Sequence, residues 1–222
     1  MKKNIYIGFD IDETFIHSRD ISIDKEPYDD ADFNIKDRGD FAFSTFVRPN
    51  AALLLNYIRD TYNIFFYTRA SQDYALSILK EFDMDNEKLF HSKHIETESV
   101  DTLYEGFKRF KVKRLDKIAS KMNVNIDDII FFDDIRNSYE IRPINIVVQV
   151  PEYTGSELDN VLGILYSRFK EVENKNTDEI KRNIKSISIE ELKNAANPLT
   201  KILKKEHMST SNSIRKNKKE PF

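Results

Sequence analysis

Two carboxylates separated by a single residue, Asp10 and Asp12, stand at the end of an apolar run in the segment FDIDETFIHS, residues 9–18. In an extended chain the side chains of residues i and i+2 point to the same side, so these two like charges repel each other unless something offsets them. A metal cation, the counter-ion of a bound anion or a shared proton could do so. The spacing therefore predicts a charged functional site that begins at Asp10.

Two further predicted strands end in polar residues. The apolar run NIFFYT ends at Thr68, and the run within NIDDIIFFDD ends at Asp133 and Asp134. Both runs, like NIYIGF before Asp10, are rich in β-branched and aromatic residues, which is typical of strands buried on both faces. Because ligand sites in parallel α/β sheets lie beyond the carboxyl ends of the strands, we expect these groups to converge with Asp10.

The intervening segments alternate between strand and helix patterns, which predicts an α/β fold with a parallel sheet and helices on both faces. The predicted helices cover residues 49–62, 72–82, 113–122 and 156–172, and INIVVQV predicts a fourth strand. The segment 19–46 has clustered Asp residues and an alternating pattern in FAFSTFV, so it predicts an irregular excursion that closes in a β-hairpin. Residues 83–112 give no clear assignment.

The pattern divides the chain into two parts. Residues 1–172 carry the alternating elements and are predicted to form one globular domain, whereas residues 173–222 are charged and rich in Asn and Lys. The second part has the composition of a partly helical to disordered tail, with a short helix predicted over 189–194. From residue 201 onward it holds seven Lys or Arg and two Glu, which suits a solvated end or, alternatively, a nuclear-import or docking segment.

Whole-chain composition excludes several classes of site. The 222 residues include no cysteine, so disulfides, thiolate zinc sites and a cysteine nucleophile are excluded. The first apolar stretch is too short for a secretory signal, and no apolar run approaches the ~20 residues needed to span a bilayer. We therefore expect an intracellular protein, cytoplasmic or nuclear, with no membrane partner. A formal net charge of −3 gives no general argument for nucleic-acid binding, and nothing indicates an oligomeric state.

The order of the motifs resembles the haloacid dehalogenase (HAD) superfamily of phosphohydrolases, and more closely the phosphatases of the RNA polymerase II carboxy-terminal domain and their small relatives, the NLI-interacting-factor-like phosphatases. The similar segments are DIDETFIHS, ADF with FVRPN, FFYTRASQDYA, KVKRLDKI and IIFFDDIRNSY, in order between residues 4 and 170. Three positions depart from the family pattern, because Asn50 replaces Gly, Arg69 replaces Ala and Asp134 replaces Asn. An Asp-Asp pair is common across the superfamily, whereas Arg69 beside the phosphate site bears on substrate identity.

The resemblance implies catalytic and phosphate-binding roles. Asp10 would attack phosphorus to form an aspartyl-phosphate, and Asp12 would protonate the leaving alcohol and then act as base on the hydrolytic water. Thr68 would hydrogen-bond a phosphate oxygen, and Lys113 would place a positive charge on the phosphate while pairing with Asp10. Arg69 would add a further phosphate contact.

The resemblance also implies Mg²⁺ as cofactor, a hard cation that prefers carboxylate, carbonyl and water oxygens. Asp10, the backbone carbonyl of Asp12 and Asp134 would hold the ion, and Asp133 would orient a metal-bound water. On this interpretation Asp10 and Asp12 coexist because they have different roles and because Mg²⁺ and Lys113 offset their charge.

The implied fold is a HAD-like Rossmannoid three-layer sandwich with a small β-hairpin flap and no large cap domain, since residues 19–46 are too few for one. An open site admits an extended peptide, so the expected substrate is a phosphoserine or phosphothreonine protein. The alternatives are a small-molecule or nucleic-acid-end phosphatase, favoured by Arg69 and the basic tail, and a module that binds phosphate without turnover. The acid at Asp12 disfavours the binding module, and it disfavours a haloacid dehalogenase because a halide leaving group needs no proton.

Three histidines have simpler interpretations than catalysis. His17 follows the family motif and is expected to stabilise its loop. His91 and His94 lie three residues apart in HSKHIETE, but no further ligand is convincing. We therefore expect both to be surface residues and not a metal pair.

Overall fold

A parallel five-stranded sheet forms the centre of the protein. In the computed structural model, which describes residues 2–21, 28–37, 41–91, 103–105, 108–110, 113–135 and 146–197, the strand order is β10-β9-β1-β5-β6. These strands are β1 (Tyr6–Phe9), β5 (Asn63–Thr68), β6 (Lys88–His91), β9 (Ile129–Asp133) and β10 (Val147–Gln149). Phe9 of β1 is in register with Phe66 of β5 and Phe132 of β9, so the ends of three central strands lie side by side.

Both faces of this sheet are covered, which confirms the predicted three-layer α/β sandwich. Ile7, Phe9 and Phe66 face one core, which also contains apolar residues of the helices α1 (Ala51–Thr61), α2 (Gln72–Glu81) and α4 (Val161–Glu171). Phe65, Tyr67 and Phe131 face the other core, which packs against α3 (Leu115–Met122). A side chain at Gly8 would overlap the rings of Phe65 and Phe131, so the absence of a Cβ there lets the rings pack over β1.

The helices agree with the predicted segments except at their starts. Helix α1 buries Ala51, Leu54, Leu55 and Ile58, the spacing expected of one apolar face. Helix α3 begins at Leu115 and not at residue 113, which leaves Lys113 in the connection before it. The prediction that the last helix of the domain begins at residue 156 was wrong, because α4 begins at Val161. There the Asp159 side chain accepts a hydrogen bond from the backbone N–H of Val161 at 2.9 Å and so marks the first turn.

The segment between β1 and α1 forms a second, antiparallel sheet of order β2-β4-β3. Its strands are β2 (Ile16–Asp20), β3 (Phe33–Asp37) and β4 (Phe41–Val47). The predicted hairpin is β3 with β4, and the strand β2, which the sequence did not indicate, pairs with the other edge of β4. In the region left unassigned, the described residues form β6 and an antiparallel pair, β7 (Leu103–Glu105) with β8 (Lys108–Phe110).

Two helices lie in the described part of the chain after residue 172, which ends at Asn197. These are α5 (Thr177–Lys185) and α6 (Ile189–Ala196), the second of which confirms the short helix predicted there. Ile180, Ile184 and Leu192 are fully buried in the same core as β1 and α4. The charged segment up to Asn197 therefore packs on the domain, and residues 198–222 lie outside the described part of the chain. Among the described residues, no helix combines the length and the apolar character needed to cross a membrane.

Candidate active site

Three adjacent strand ends bring the predicted polar residues together. Asp10 directly follows β1, Thr68 ends β5 and Asp133 ends β9, and these are the three central strands of the parallel sheet. The backbone N–H of Asp10 donates to the carbonyl of Phe132 at 2.9 Å, so the chain stays tied to β9 beyond the strand itself. The fold thus delivers the predicted convergence through strand register alone.

Lys113 is buried among the carboxylates, where it lies at 2% exposure. Its Nζ is 2.8 Å from Asp10 Oδ1 and 2.6 Å from Asp133 Oδ2. Burial alone would lower the pKa of Lys113, but the two carboxylates outweigh burial and raise the pKa. The Nζ atom lies over the rings of Tyr67 and Phe131, and the next residue is fixed by a 3.0 Å hydrogen bond from the Arg114 N–H to the Tyr67 hydroxyl. Lys113 is therefore a positioned cation and not a solvated lysine.

The carboxylates of Asp10, Asp133 and Asp134 form a group that we call the acidic cluster, with one oxygen of each within 4.8 Å of the others. Burial, opposed by Lys113 and reinforced by Asp133, raises the pKa of Asp10 to about 7. Burial and the charge of Asp133 raise the pKa of Asp134 to about 6. The cluster thus holds three carboxyl groups and one ammonium, so it has excess negative charge when the carboxyl groups are ionised. Its donor set, three hard oxygens, fits a cation such as Mg²⁺.

Backbone contacts orient two members of the acidic cluster. The N–H of Ile135 donates to Asp133 Oδ1 at 2.7 Å, while Oδ2 of the same carboxylate accepts from Lys113. The side-chain amide of Gln149, at the end of β10, donates to the Asp134 carbonyl at 3.2 Å. These contacts hold the turn after β9 so that Asp134 lies beside Asp10.

Asp12 lies in the loop after β1 but has a different partner. The Tyr74 hydroxyl, on helix α2, lies 2.7 Å from Asp12 Oδ1. Burial raises the pKa of Asp12, and the bond from Tyr74 and the charge of Lys113 oppose that shift. The side chain is therefore set apart from the acidic cluster, as a group with a separate task would be. Its role as acid and base, and its carbonyl as a metal ligand, stay predictions.

Thr68 and Arg69 stand next to each other at the end of β5. Thr68 is buried, and its Oγ1 accepts a hydrogen bond from the Ala70 N–H at 3.0 Å. A hydroxyl that accepts one hydrogen bond can still donate its own hydrogen, for example to a phosphate oxygen. Arg69 is exposed. Both phosphate-binding roles stay predictions.

The structure places His17 as expected and His91 not as expected. His17 Nδ1 lies 3.0 Å from the carboxylate of Glu13, a residue whose backbone φ of 57° is left-handed, so His17 stabilises the loop after Asp12 as expected. The surface position expected for His91 was wrong, because His91 ends β6 at 3% exposure. His94 lies outside the described residues.

Sequence reasoning missed the residues that hold the loop after β1 in place. Tyr74 contacts Asp12, and Arg48 donates to the carbonyl of Thr14 at 3.1 Å while forming a two-point ion pair with Asp159 at 3.0 and 2.9 Å. Tyr74 lies in FFYTRASQDYA and Arg48 lies in FVRPN. The resemblance of these two segments to the family was the signal that could have identified both residues. Asp159 is 111 residues from Arg48 and carried no such signal.

This chain matches a family model over most of its length. A comparison with functionally curated proteins gave no significant match. One similar solved structure is "The Structure of Fcp1, an essential RNA polymerase II CTD phosphatase", with 17% identity and a TM-score of 0.47, and the match covers 75% of this chain and 47% of that one. Another is a fission yeast Fcp1 variant bound to beryllium fluoride, with 16% identity and a TM-score of 0.47, and the match covers 91% of this chain and 56% of that one. This chain therefore spans about half the length of both. The family model for the NLI interacting factor-like phosphatases matches residues 6–180. The chain belongs to this family of phosphatases.

Proposed function

We propose that this protein is a Mg²⁺-dependent phosphomonoesterase that works through an aspartyl-phosphate on Asp10. The observation that carries the proposal is the acidic cluster with Lys113 set between Asp10 and Asp133, at 2.8 and 2.6 Å. It lies at the ends of adjacent parallel strands, where α/β proteins place their ligands. Membership of a phosphatase family gives this arrangement its chemical meaning.

The residues divide the reaction into two displacements. In the first, an Asp10 carboxylate oxygen bonds to phosphorus, the bond from phosphorus to the ester oxygen breaks, and Asp12 gives that oxygen its proton. In the second, Asp12 takes a proton from water, the water oxygen bonds to phosphorus, and the bond to Asp10 breaks to release inorganic phosphate. Thr68 and Lys113, with Arg69 at the exposed side, would bind the phosphate oxygens and offset their charge.

The same residues suit a bound magnesium ion. Asp10 and Asp134 would hold Mg²⁺ together with the Asp12 carbonyl, and Asp133 would orient a water on it. When bound, Mg²⁺ supplies positive charge that offsets the phosphate and the carboxylates. The raised pKa values of Asp10 and Asp134, caused first by burial and then by neighbouring carboxylates, support this assignment, because a bound cation would favour the ionised form of both groups.

The proposed substrate is a protein that carries phosphoserine or phosphothreonine. The insertion between β1 and α1 is a small antiparallel sheet, β2 to β4, and a small insertion suits a site open to an extended chain. The exposed Arg69, next to Thr68, favours a second candidate, a phosphatase of small anionic metabolites or nucleic-acid ends, because a guanidinium can bind a second phosphate. Matched panels of phosphopeptides, nucleotides and sugar phosphates would separate these two.

Hydrolysis of an aryl phosphate tests the proposed reaction. Turnover should require Mg²⁺, stop in EDTA and return when Mg²⁺ is restored. It should be lost in Asp10→Asn and kept in Asp85→Asn, a matched change at an exposed carboxylate between α2 and β6. A folded wild-type protein that binds Mg²⁺ yet releases no phosphate from any panel member would contradict the proposal and favour a phosphate-binding module.

A further inference from the structure

Three hydroxyl groups form a continuous chain that ends on Asp12. The Tyr74 hydroxyl lies 2.7 Å from Asp12 Oδ1 and 2.9 Å from Ser18 Oγ. Ser18 Oγ in turn lies 2.9 Å from Thr45 Oγ1. Ser18 belongs to β2 and Thr45 to β4, so the chain connects the antiparallel sheet to the carboxylate next to the acidic cluster.

Counting hydrogens fixes the direction of this chain. A phenol has one hydrogen on its oxygen and an ionised carboxylate has none, so in the bond between these two groups the Tyr74 hydroxyl donates to Asp12 Oδ1. The phenol oxygen must then accept from Ser18, whose single hydrogen is used there. Ser18 Oγ therefore accepts from Thr45. Every link is satisfied in one direction, toward Asp12.

Packing holds the Tyr74 hydroxyl in place from two sides. Tyr74 lies in the first turn of α2, where its N–H donates to the Ser71 side chain that caps the helix. Its ring packs edge-to-face on Phe43 of β4, with ring centroids 5.5 Å apart. Tyr74 is 7% exposed, so water has little access to the hydroxyl. The hydroxyl is thus positioned by α2 and by the antiparallel sheet together.

We propose that Tyr74 is a positioning residue for Asp12: it occupies Oδ1, so that the proton delivered to the leaving oxygen is carried on Oδ2. Ser18 and Thr45 keep the phenol hydrogen aimed at the carboxylate. The antiparallel sheet would thereby set the orientation of the acid as well as line the site. This inference rests on the proposed function, since it assigns Asp12 a proton to deliver.

Such a role has a kinetic signature that a structural role lacks. A poor leaving group such as a serine alkoxide needs its proton in the transition state, whereas an acidic phenol leaves without one. Loss of the Tyr74 hydroxyl should therefore slow the first kind of ester more than the second. Loss of packing or folding would lower both rates by the same factor.

The test compares wild type, Tyr74→Phe and Tyr62→Phe with Mg²⁺ on a phosphoserine peptide and on para-nitrophenyl phosphate. Tyr62→Phe is the matched control, because among the described residues the Tyr62 hydroxyl is buried without a hydrogen-bond partner, and Tyr62 precedes β5, at the end of the sheet opposite the site. Tyr74→Phe should lower kcat/KM on the peptide about tenfold, part of the ~10²- to 10⁴-fold that a general acid supplies. It should lower kcat/KM on the aryl ester less than about threefold, because kcat/KM reports the transfer of the phosphoryl group to Asp10 and excludes the later hydrolysis that both substrates share. Tyr62→Phe should leave the ratio of the two rates unchanged.

Ser18→Ala provides a second, milder variant, because it removes the donor to Tyr74 but keeps the phenol. It should shift the ratio of rates in the same direction by a smaller factor. Equal losses on both substrates in Tyr74→Phe, or no loss, would overturn the positioning role while leaving the phosphatase intact. No turnover by wild type would overturn the proposed function, and with it this inference.

Discussion

Two buried ionic groups lie on either side of the loop after β1, and they differ in charge balance. Arg48 and Asp159 form a pair of one cation and one anion, both nearly fully buried, with two contacts at 3.0 and 2.9 Å. The acidic cluster sets three carboxylates against the single ammonium of Lys113. The first group has equal numbers of acidic and basic side chains, whereas the second has two more carboxyl groups than ammonium groups.

The difference separates a balanced ion pair from a cluster with more acidic than basic groups. Both partners make a further hydrogen bond, since Arg48 Nη1 donates to the Thr14 carbonyl and Asp159 Oδ1 accepts from the Val161 N–H. Burial of unbalanced charge is costly, so a protein keeps it where a ligand supplies the missing charge. The Arg48 pair thus holds the loop, whereas the acidic cluster is a group that could hold a metal ion.

The largest expected effect is on activity, from Asp10→Asn. Removal of the nucleophile should lower kcat by roughly four orders of magnitude or more. Stability in EDTA should stay within ~1 kcal/mol of wild type, because Lys113 keeps Asp133 as a partner and one repulsive charge is gone. Steady-state kinetics and urea unfolding on the same samples check both parts. Retained activity would remove Asp10 as the nucleophile.

The next largest effect is on stability, from Arg48→Met. This change leaves Asp159 buried without its cation and should cost ~3–5 kcal/mol in the free energy of unfolding. Arg48→Met combined with Asp159→Leu should recover part of that loss, because no charge is then stranded. Urea unfolding of the wild type, both single variants and the pair measures this. A loss below ~1 kcal/mol for Arg48→Met would show that the pair is not structural.

Magnesium should stabilise the acidic cluster and leave the Arg48 pair unaffected. At a concentration 100 times Kd, a ligand that binds only the folded state adds ~2.7 kcal/mol to the free energy of unfolding. We expect wild type and Asp85→Asn to gain this stabilisation and Asp134→Asn to gain much less. Thermal unfolding with and without Mg²⁺ provides the measurement. If Mg²⁺ stabilised Asp134→Asn as much as wild type, the ion would bind elsewhere.

The smallest expected change in the free energy of unfolding comes from a third ion pair. Lys181 of α5 lies 2.9 Å from Asp128 Oδ1, with both side chains partly exposed. Lys181→Met should cost less than ~1 kcal/mol, since water and salt weaken an exposed pair. Its unfolding midpoint, measured beside Arg48→Met, shows whether burial decides the difference. A cost equal to that of Arg48→Met would refute this distinction.

The sequence predicted the parts of the fold and site that local pattern determines. The buried strands ending near Asp10, Thr68 and Asp133 could be found because aromatic and β-branched runs end there in polar residues. The convergence of these residues followed from the general rule for strand ends in parallel sheets. The helical spacing of apolar residues could also be found in the sequence, although the start of α4 could not.

The remaining features depend on contacts between distant segments. Tyr74 reaches Asp12 across 62 residues, and Arg48 reaches Asp159 across 111, so neither pairing has a local signal. Asp159 also accepts a hydrogen bond from the N–H of Val161, where α4 begins, five residues later than its apolar pattern indicated. His91 is buried because its strand β6 pairs with β5, a pairing hidden in a segment with no clear pattern.

The most direct test of the central claim is to find the phosphoryl group on Asp10. Asp12→Asn should still react with para-nitrophenyl phosphate, whose leaving group needs no acid, but should hydrolyse the intermediate slowly for lack of a base. The reaction is run with Mg²⁺ and a substrate that carries radioactive phosphorus, and it is stopped with acid. We expect radioactivity on the peptide that contains Asp10, and none in the double variant that combines Asp12→Asn with Asp10→Asn. Release of nitrophenol without label on that peptide, or with label on another residue, would contradict the account.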